Sequence, residues 1–328
     1  MGEVIHGYEL LGAFSTVDSG SARWCFAQKG GAQFFLKEFL SPVFPMASAE
    51  IPGERRASLI KFCNAFEARK NRLYASLRAA NNGNIVAIQD FFCERGKYYC
   101  VTEKVATDSA LSPSQISLLP LNKRQLILKI LTHSMVQLEN RHIVHADLKP
   151  TNVLLKPTTN GFYTLKLIDF DESFFEDEAS SKDPDELKGD PVYLAPEMFL
   201  AMAGEDVALT TKVDVFAMGL LMHQFLCGRL PGFDRNISDY AYEAVLQGEK
   251  LVLDPRLGPA SRALMEKMLS REPEQRPSFA DVLTIIGGSP VPSITSPMSS
   301  PPVPPKPVAP CNNPYMRVPG DFQEGYSQ

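Results

Sequence analysis

The chain opens with short runs of aromatic and aliphatic residues, at 8–11, 22–27 and 33–39, cut by Gly- and Ser-bearing turns. Runs of this length and composition predict strands, so the first forty residues predict a small antiparallel sheet. After a proline-containing insertion at 41–53 the period changes. Between 54 and 80 there are few breakers, and Leu59, Phe62, Cys63, Phe66, Leu73 and Leu77 recur at helical spacing, which predicts one long helix. Residues 85–92 and 97–105 return to strand character around a Glu94-Arg95-Gly96 turn.

The second half reads differently. From 122 to 141, Leu126, Ile127, Ile130, Leu131, Ser134, Met135 and Leu138 follow a helical period wide enough for burial, so this segment predicts the central helix of a helical lobe. Two short strands follow at 153–155 and 163–168, across a turn at 158–161. Beyond about Gly288 the pattern stops: residues 289–328 hold eleven prolines and few large aliphatics, and such a stretch cannot bury a core. The expected architecture is α+β, with a sheet lobe at 1–105, a helical lobe at 106–288 and a disordered Pro/Ser-rich tail at 289–328.

With 328 residues and 44% hydrophobic content, the chain has ample material for a core. A formal net charge of -5 with no basic stripe argues against a nucleic-acid partner. The six cysteines show neither C-x-x-C nor zinc spacing and mostly lie in apolar runs, as small hydrophobes in a reducing cytoplasm would. The first residues hold no basic region followed by an apolar run, and the patch at 219–226 is too short to span a bilayer. These features predict a soluble, cytoplasmic protein without a membrane partner.

Candidate chemistry concentrates in His145-Ala146-Asp147-Leu148-Lys149-Pro150-Thr151-Asn152 and Leu167-Ile168-Asp169-Phe170-Asp171. A carboxylate able to orient a hydroxyl, a lysine two residues on, and an Asn plus a second Asp able to hold a metal form a set suited to phosphoryl transfer. Alone, Asp-Leu-Lys occurs by chance in many proteins; the joint spacing with its intervening strands is specific. The set resembles the catalytic loop and metal-binding motif of the protein kinase family, in the form of the serine/threonine branch. Val213 to Gly219, Tyr193-Leu194-Ala195-Pro196-Glu197 and Arg271 to Ser278 resemble three further family segments, so the resemblance covers roughly residues 8–286. The short first lobe and compact helix count suggest a bacterial-type member.

The resemblance implies a two-lobed kinase fold that transfers the γ-phosphate of Mg-ATP to serine or threonine of protein substrates, itself included. It implies that Asp147 orients the acceptor hydroxyl, that Lys149 neutralises the transferring phosphoryl group, and that Asn152 and Asp169 hold Mg2+. Lys37 would grip the nucleotide phosphates, and Glu67, or else Glu54 near the helix start, would pair with Lys37. Gly20, or Gly12 if the hairpin is longer, would lie in the loop that covers the phosphates. Thr102 would stand at the back of the adenine pocket, with Glu103 and Val105 in the backbone stretch that faces the base. His145 and Asp214 would brace the catalytic loop, and Arg276 would pair with Glu197.

Four departures accompany the resemblance. The glycine loop is degraded, Ala146 stands where many members carry an arginine that receives a loop phosphate, Asp171 replaces a glycine, and Asp190 replaces a threonine. Between Asp171 and Asp190, nine acids face only Lys182 and Lys188; such a loop is solvated and mobile by default, or else attracts basic substrates or mimics a phosphorylated loop. Ser173, Ser180 and Ser181 are candidate autophosphorylation sites. The tail segment 301–306 has a P-x-x-P-x-K spacing suited to a polyproline-binding partner, and also reads as a spacer. Two other readings fit the same motifs: a pseudokinase scaffold, and a kinase-like enzyme acting on a small molecule.

Overall fold

The computed structural model describes residues 2–16, 20, 22–47, 50–105, 111–181 and 183–288. The tail expected at 289–328, with its 301–306 motif, and Lys182 lie outside the described residues. Two compact units result, one from residues up to Ala79 and again from Val86, the other from Ala80–Ile85 and the chain beyond the second strand pair.

The first unit is a six-stranded sheet in the order β1-β2-β3-β4-β6-β5, antiparallel throughout. Its strands are β1 (Val4–Ile5), β2 (Tyr8–Leu10), β3 (Ala22–Lys29), β4 (Ala32–Phe39), β5 (Ile88–Glu94) and β6 (Lys97–Glu103). Alternation along each strand sends neighbours to opposite faces. One face carries Leu36, Cys25, Ala27, Tyr99 and Val101, covered by Ile5, Tyr8 and Leu10 from the first two strands. Glu38 shares that face with only 1% exposure; Arg23 Nε and Lys97 Nζ, each at 2.8 Å, neutralise it, and it accepts from Tyr99 Oη at 2.9 Å.

The helix predicted for 54–80 is α1 (Gly53–Ala80), and it packs on the opposite face. Phe66 meets Phe39 at 5.3 Å and Tyr98 at 5.1 Å between ring centroids, while Tyr74 meets Phe91 at 5.2 Å. The insertion before the helix docks on the turn joining β5 and β6, where Phe44 N donates to Gly96 O at 2.7 Å. Gly96 is fixed there twice over: its φ is +79°, and an added Cβ would lie 2.7 Å from Phe44 O.

The predicted strand at 85–92 begins three residues later. Ile85 instead bridges Leu167 in the second unit, and Leu167 N donates to Asn84 O at 2.7 Å. Ile85 and Val86 are apolar because they are buried, and burial alone does not show which sheet a strand residue joins.

The second unit is mainly helical. Short α2 (Pro113–Leu118) precedes α3 (Leu121–Glu139), and then come β7 (Ile143–Val144), β8 (Val153–Pro157), β9 (Tyr163–Leu167) and β10 (Phe174–Phe175). Helices α4 (Pro196–Met202), α5 (Lys212–Cys227), α6 (Ala241–Leu246), α7 (Pro259–Met268) and α8 (Phe279–Gly288) complete it. Helix α5 is buried on every side, from Val213 through Met222, which is why its sequence shows no polar stripe. It ends at Gly228, with φ +79° and Ser117 Oγ 2.7 Å from where a Cβ would stand. Among the described residues, no helix is long and apolar enough to cross a membrane.

Candidate active site

The loop between β7 and β8 is anchored from below by α5. Asp214, in the first turn of α5 and 1% exposed, accepts from His145 N at 2.6 Å and Ala146 N at 2.9 Å. Burial pushes its carboxyl up to about 7, against the pull of those two donors. Ala146 lies at φ +67°, a conformation that an L residue adopts only when its surroundings hold it there. His145 is fully buried: its Nδ1 accepts from Asp147 N at 3.3 Å, and its Nε2 faces Ile168 O at 3.2 Å. These partners require a neutral ring protonated at Nε2, and burial lowers its pKa to about 4.

With the loop fixed, three side chains converge. Lys149 Nζ lies 2.9 Å from Asp147 Oδ2. Asn152 Nδ2 donates to Asp147 O at 2.8 Å and to Asp147 Oδ2 at 3.0 Å. The other carboxylate oxygen, Asp147 Oδ1, is buried and, among the described residues, has no hydrogen-bond partner. An unsatisfied buried acceptor costs about 1–3 kcal/mol, and this one is available to a donor that arrives with a ligand.

Burial raises the Asp147 pKa above the ordinary aspartate value and Asp169 adds to the rise, while Lys149 and Asn152 oppose it. Burial alone would lower that of Lys149, but Asp147, Asp190 and Asp169 outweigh it, so the ammonium form is favoured.

Asp169 follows β9 with φ +64°, and Phe170 packs on His145 at 4.8 Å between ring centroids. The Asn152 amide nitrogen is already used by Asp147, so its amide oxygen is the atom left for a ligand. That amide oxygen and the Asp169 carboxylate are both hard oxygen donors, the kind of ligand that suits Mg2+.

The acidic segment after Asp169 is held by pairing rather than simply solvated. Strand β10 pairs antiparallel with β7, and Glu176 N donates to His142 O at 2.9 Å. The Glu176 carboxylate lies 2.7 Å from His142 Nδ1 and accepts from Thr211 N at 2.8 Å. The spacing of acids in the sequence gives no sign of this tie, because His142 and Thr211 are brought together only by the fold. Ser173 is 7% exposed and donates to His145 O at 3.0 Å, so its expected role as a modification site is corrected: the hydroxyl is structural and inaccessible. The side chains of Ser180 and Ser181 lie outside the description. Further on, Glu197 and Arg276 form the expected ion pair, with contacts of 2.6 and 2.9 Å.

In the sheet unit, Lys37 on β4 is 8% exposed and pairs in register with Trp24 on β3 and Cys100 on β6. Thr102 lies on the same face, 7% exposed, with an Oγ1 that is buried and, among the described residues, without a hydrogen-bond partner. Glu103 N and Lys104 N are spent on Ala87 O at 3.2 Å and Gln33 O at 3.4 Å, while among the described residues Val105 N is not drawn into a backbone hydrogen bond.

Ser15 and Trp24 exchange hydrogen bonds of 2.8 and 2.9 Å; Gly20, at φ +51°, falls between them in sequence and Gly12 before them. Glu67 does not behave as expected. It is exposed, and its carboxylate takes Tyr98 Oη at 3.4 Å, so the geometry gives it a partner in Tyr98 rather than in Lys37. Glu54 sits in the first turn of α1, where an acid complements the helix dipole.

The Protein kinase domain family matches residues 64–285, so the strand that carries Lys37 precedes the matched range. Serine/threonine-protein kinase ULK3 of Xenopus laevis is 30% identical over 208 residues, covering 62% of this chain and 42% of that protein. Ovarian-specific serine/threonine-protein kinase Lok of Drosophila melanogaster is 35% identical over 154 residues, 46% of this chain and 31% of its own length. CBL-interacting serine/threonine-protein kinase 12 of Arabidopsis thaliana is 29% identical over 218 residues, 66% of this chain and 42% of that protein. The chain thus spans less than half the length of these relatives. A family match over more than half of the chain, enclosing the loop built on Asp214 and the Glu197–Arg276 pair, means that the chain belongs to the protein kinase domain family.

Proposed function

We propose that this chain is a serine/threonine protein kinase that transfers the γ-phosphate of Mg-ATP to hydroxyls of protein substrates. The observation that carries this reading is Asp147: one carboxylate oxygen tied to Lys149 and Asn152, the other buried with no partner among the described residues. Such an oxygen orients an acceptor hydroxyl and takes its proton. Orientation and charge neutralisation are most of what phosphoryl transfer asks of a protein.

Lys149, kept cationic by its acidic neighbours, neutralises charge that builds up as the phosphoryl group moves. Asn152 and Asp169 hold Mg2+, and Lys37 grips the nucleotide phosphates. Thr102 and the backbone at Glu103 and Val105 meet the base, and the loop at Gly20 covers the phosphates. Mg-ATP, when bound, supplies the transferred group and the metal that screens its charge. Glu67 contributes to the lysine only if α1 turns it away from Tyr98. The Asp147-x-Lys149 spacing and the similarity to serine/threonine-protein kinases support the serine/threonine preference. We place the protein in the cytoplasm, with residues 1–105, 106–288 and 289–328 as sheet lobe, helical lobe and tail. The tail is offered as the site for a polyproline-binding partner.

The test is mass spectrometry of the purified protein and a panel of peptides incubated with Mg-ATP, beside Asp147→Asn and Asp169→Asn. Phosphate on Ser or Thr in wild type, absent from both variants, is the expected result. No transfer to any protein or peptide would sink the reading.

A further inference from the structure

The end of α5 gathers an excess of positive charge. Arg124, in the first turn of α3, donates from Nη1 to Leu226 O at 2.6 Å, and Arg256 donates from Nη2 to the next carbonyl, Cys227 O, at 3.1 Å. Arg256 and Arg229 share one carboxylate, Asp254 Oδ2, at 2.8 and 2.9 Å, and Arg262 Nη2 donates to Asp254 O at 2.9 Å. Among the described residues these four arginines meet no other carboxylate, so four cations face one anion. The C-terminal dipole of α5 adds only about half a negative charge. The backbone beneath is fastened by His223, 1% exposed, whose Nδ1 donates to Arg229 O at 2.7 Å and whose Nε2 accepts from Asp254 N at 2.9 Å.

Arg124 is the member least satisfied. Its Nε is buried and, among the described residues, has no hydrogen-bond partner. Burial lowers its pKa and Arg256 adds to the fall; the opposing Cys227 thiol, pushed up to about 12 by burial, carries no charge at neutral pH. The first turn of α3 has neither an acid nor a side-chain cap, and a cation there opposes the helix dipole. Arg262 stands in the same relation to α7. The side chains of Arg229 and Arg256 are 65% and 36% exposed, so the cluster opens to solvent. A leftover donor and mutually repelling cations are relieved by one kind of ligand, an anion with several acceptor oxygens.

We propose that Arg124, Arg229 and Arg256 form a binding site for a phosphate-type oxyanion at the end of α5, apart from the residues assigned to phosphoryl transfer. Arg229 and Arg256 meet the ligand from solvent. Arg124 is held by a single carbonyl, so its side chain can turn the spare Nε toward an arriving oxygen. Guanidinium forks match the spacing of phosphoryl oxygens, which favours phosphate over a halide. The phosphoryl group is that of free phosphate or of a phosphorylated side chain, whose oxygens are the same chemistry. The site does not depend on the kinase reading.

The experiment is equilibrium dialysis of inorganic phosphate against the full chain, at constant ionic strength in chloride, with ligand-free melting temperatures as the folding control. Wild type should bind phosphate saturably. Arg124→Gln and Arg229→Gln should each weaken binding by about tenfold, the scale of one charge-assisted hydrogen bond. Lys37→Met, which alters the proposed nucleotide site, should leave this phosphate bound. Arg229 is mostly exposed, so its variant reads the site should Arg124→Gln fail to fold.

N-acetyl-phosphoserine methylamide in place of phosphate separates the two sources. Tighter binding than phosphate, weakened by the same arginine variants, supports the site and assigns it to a phosphorylated segment. Weaker binding than phosphate supports the site and assigns it to the free oxyanion. No saturable phosphate binding by wild type, equal affinity in both arginine variants, or binding weakened only by Lys37→Met overturns the proposal.

Discussion

Glu197 and Arg276, 79 positions apart, meet through two parallel hydrogen bonds in the interior of the helical unit. Arg276 also donates to Ser270 O at 2.8 Å, Lys212 O at 2.8 Å and Arg271 O at 3.0 Å, and its guanidinium lies 5.1 Å from the centre of the Phe216 ring. Every nitrogen of the guanidinium is thus used, which is what makes a buried cation tolerable.

Removing one partner leaves the other charge buried. Arg276→Ala and Glu197→Ala should each cost about 3–5 kcal/mol, seen as a large drop in melting temperature and soluble yield. Either variant melting with wild type would contradict the role assigned to the pair.

Trp24 is the single tryptophan of the chain and stands directly across β3 and β4 from Lys37, stacked on Phe35 at 5.3 Å. A nucleotide that reaches Lys37 comes to the face of the sheet that carries this ring pair. Mg-ATP should therefore change the intrinsic fluorescence in a saturable way, with the change lost in Lys37→Met. A silent fluorophore alongside calorimetrically detected ATP binding would remove the nucleotide from this face of the sheet.

His145 gives a pH signature. Its folded pKa of about 4 lies below the ordinary histidine value of 6.5, so between those values the unfolded chain binds a proton that the folded chain refuses. The stability contributed by the neutral ring is complete above 6.5 and is lost as pH falls toward 4, a loss of about 3 kcal/mol. Asp214 works in the opposite sense, since its carboxyl is pushed up to about 7 and its ionisation penalises the folded state as pH rises. The melting-temperature gap between wild type and His145→Gln isolates the histidine. That gap should narrow steadily from pH 6.5 to pH 4, and a gap independent of pH would refute the assignment.

The segment after Asp169 needs no phosphate to stay docked, because Glu176 joins His142 and the Thr211 N-H at its start. Glu176→Ala should speed proteolytic cleavage between residues 170 and 190 while leaving the global stability within about 1 kcal/mol of wild type, the usual scale for a partly exposed pair. Phosphate mapping should find none on Ser173, whereas Ser173→Glu should destabilise by burying a charge against His145 O.

Removal of residues 289–328 should leave the melting temperature unchanged, since a stretch so rich in proline and poor in large aliphatics has no core to contribute. A marked loss of stability would mean that the tail packs on the rest of the chain.

Much of this protein is written in one dimension. The helical period at 54–80 and 122–141, the strand runs on either side of Gly96, and the spacing from Asp147 to Asn152 and on to Asp169 are local properties, so they could be read before any fold was known. The groups proposed for phosphoryl transfer were legible for the same reason: they lie within one loop and the end of the next strand.

What required the tertiary structure were the pairings across distance. Ile85 reads as a strand residue, but only three-dimensional contact assigns it to Leu167. Glu67 has helical neighbours suited to its expected partner, yet its rotation about α1 directs it to Tyr98. The partner of Glu176 at Thr211 lies far along the chain and is reached by a side chain, whose reach leaves no periodic trace in the sequence. Hydrophobic period and catalytic spacing are local, and so the sequence alone determined them; which charge meets which depends on the packing of whole elements, and only the folded chain decided it.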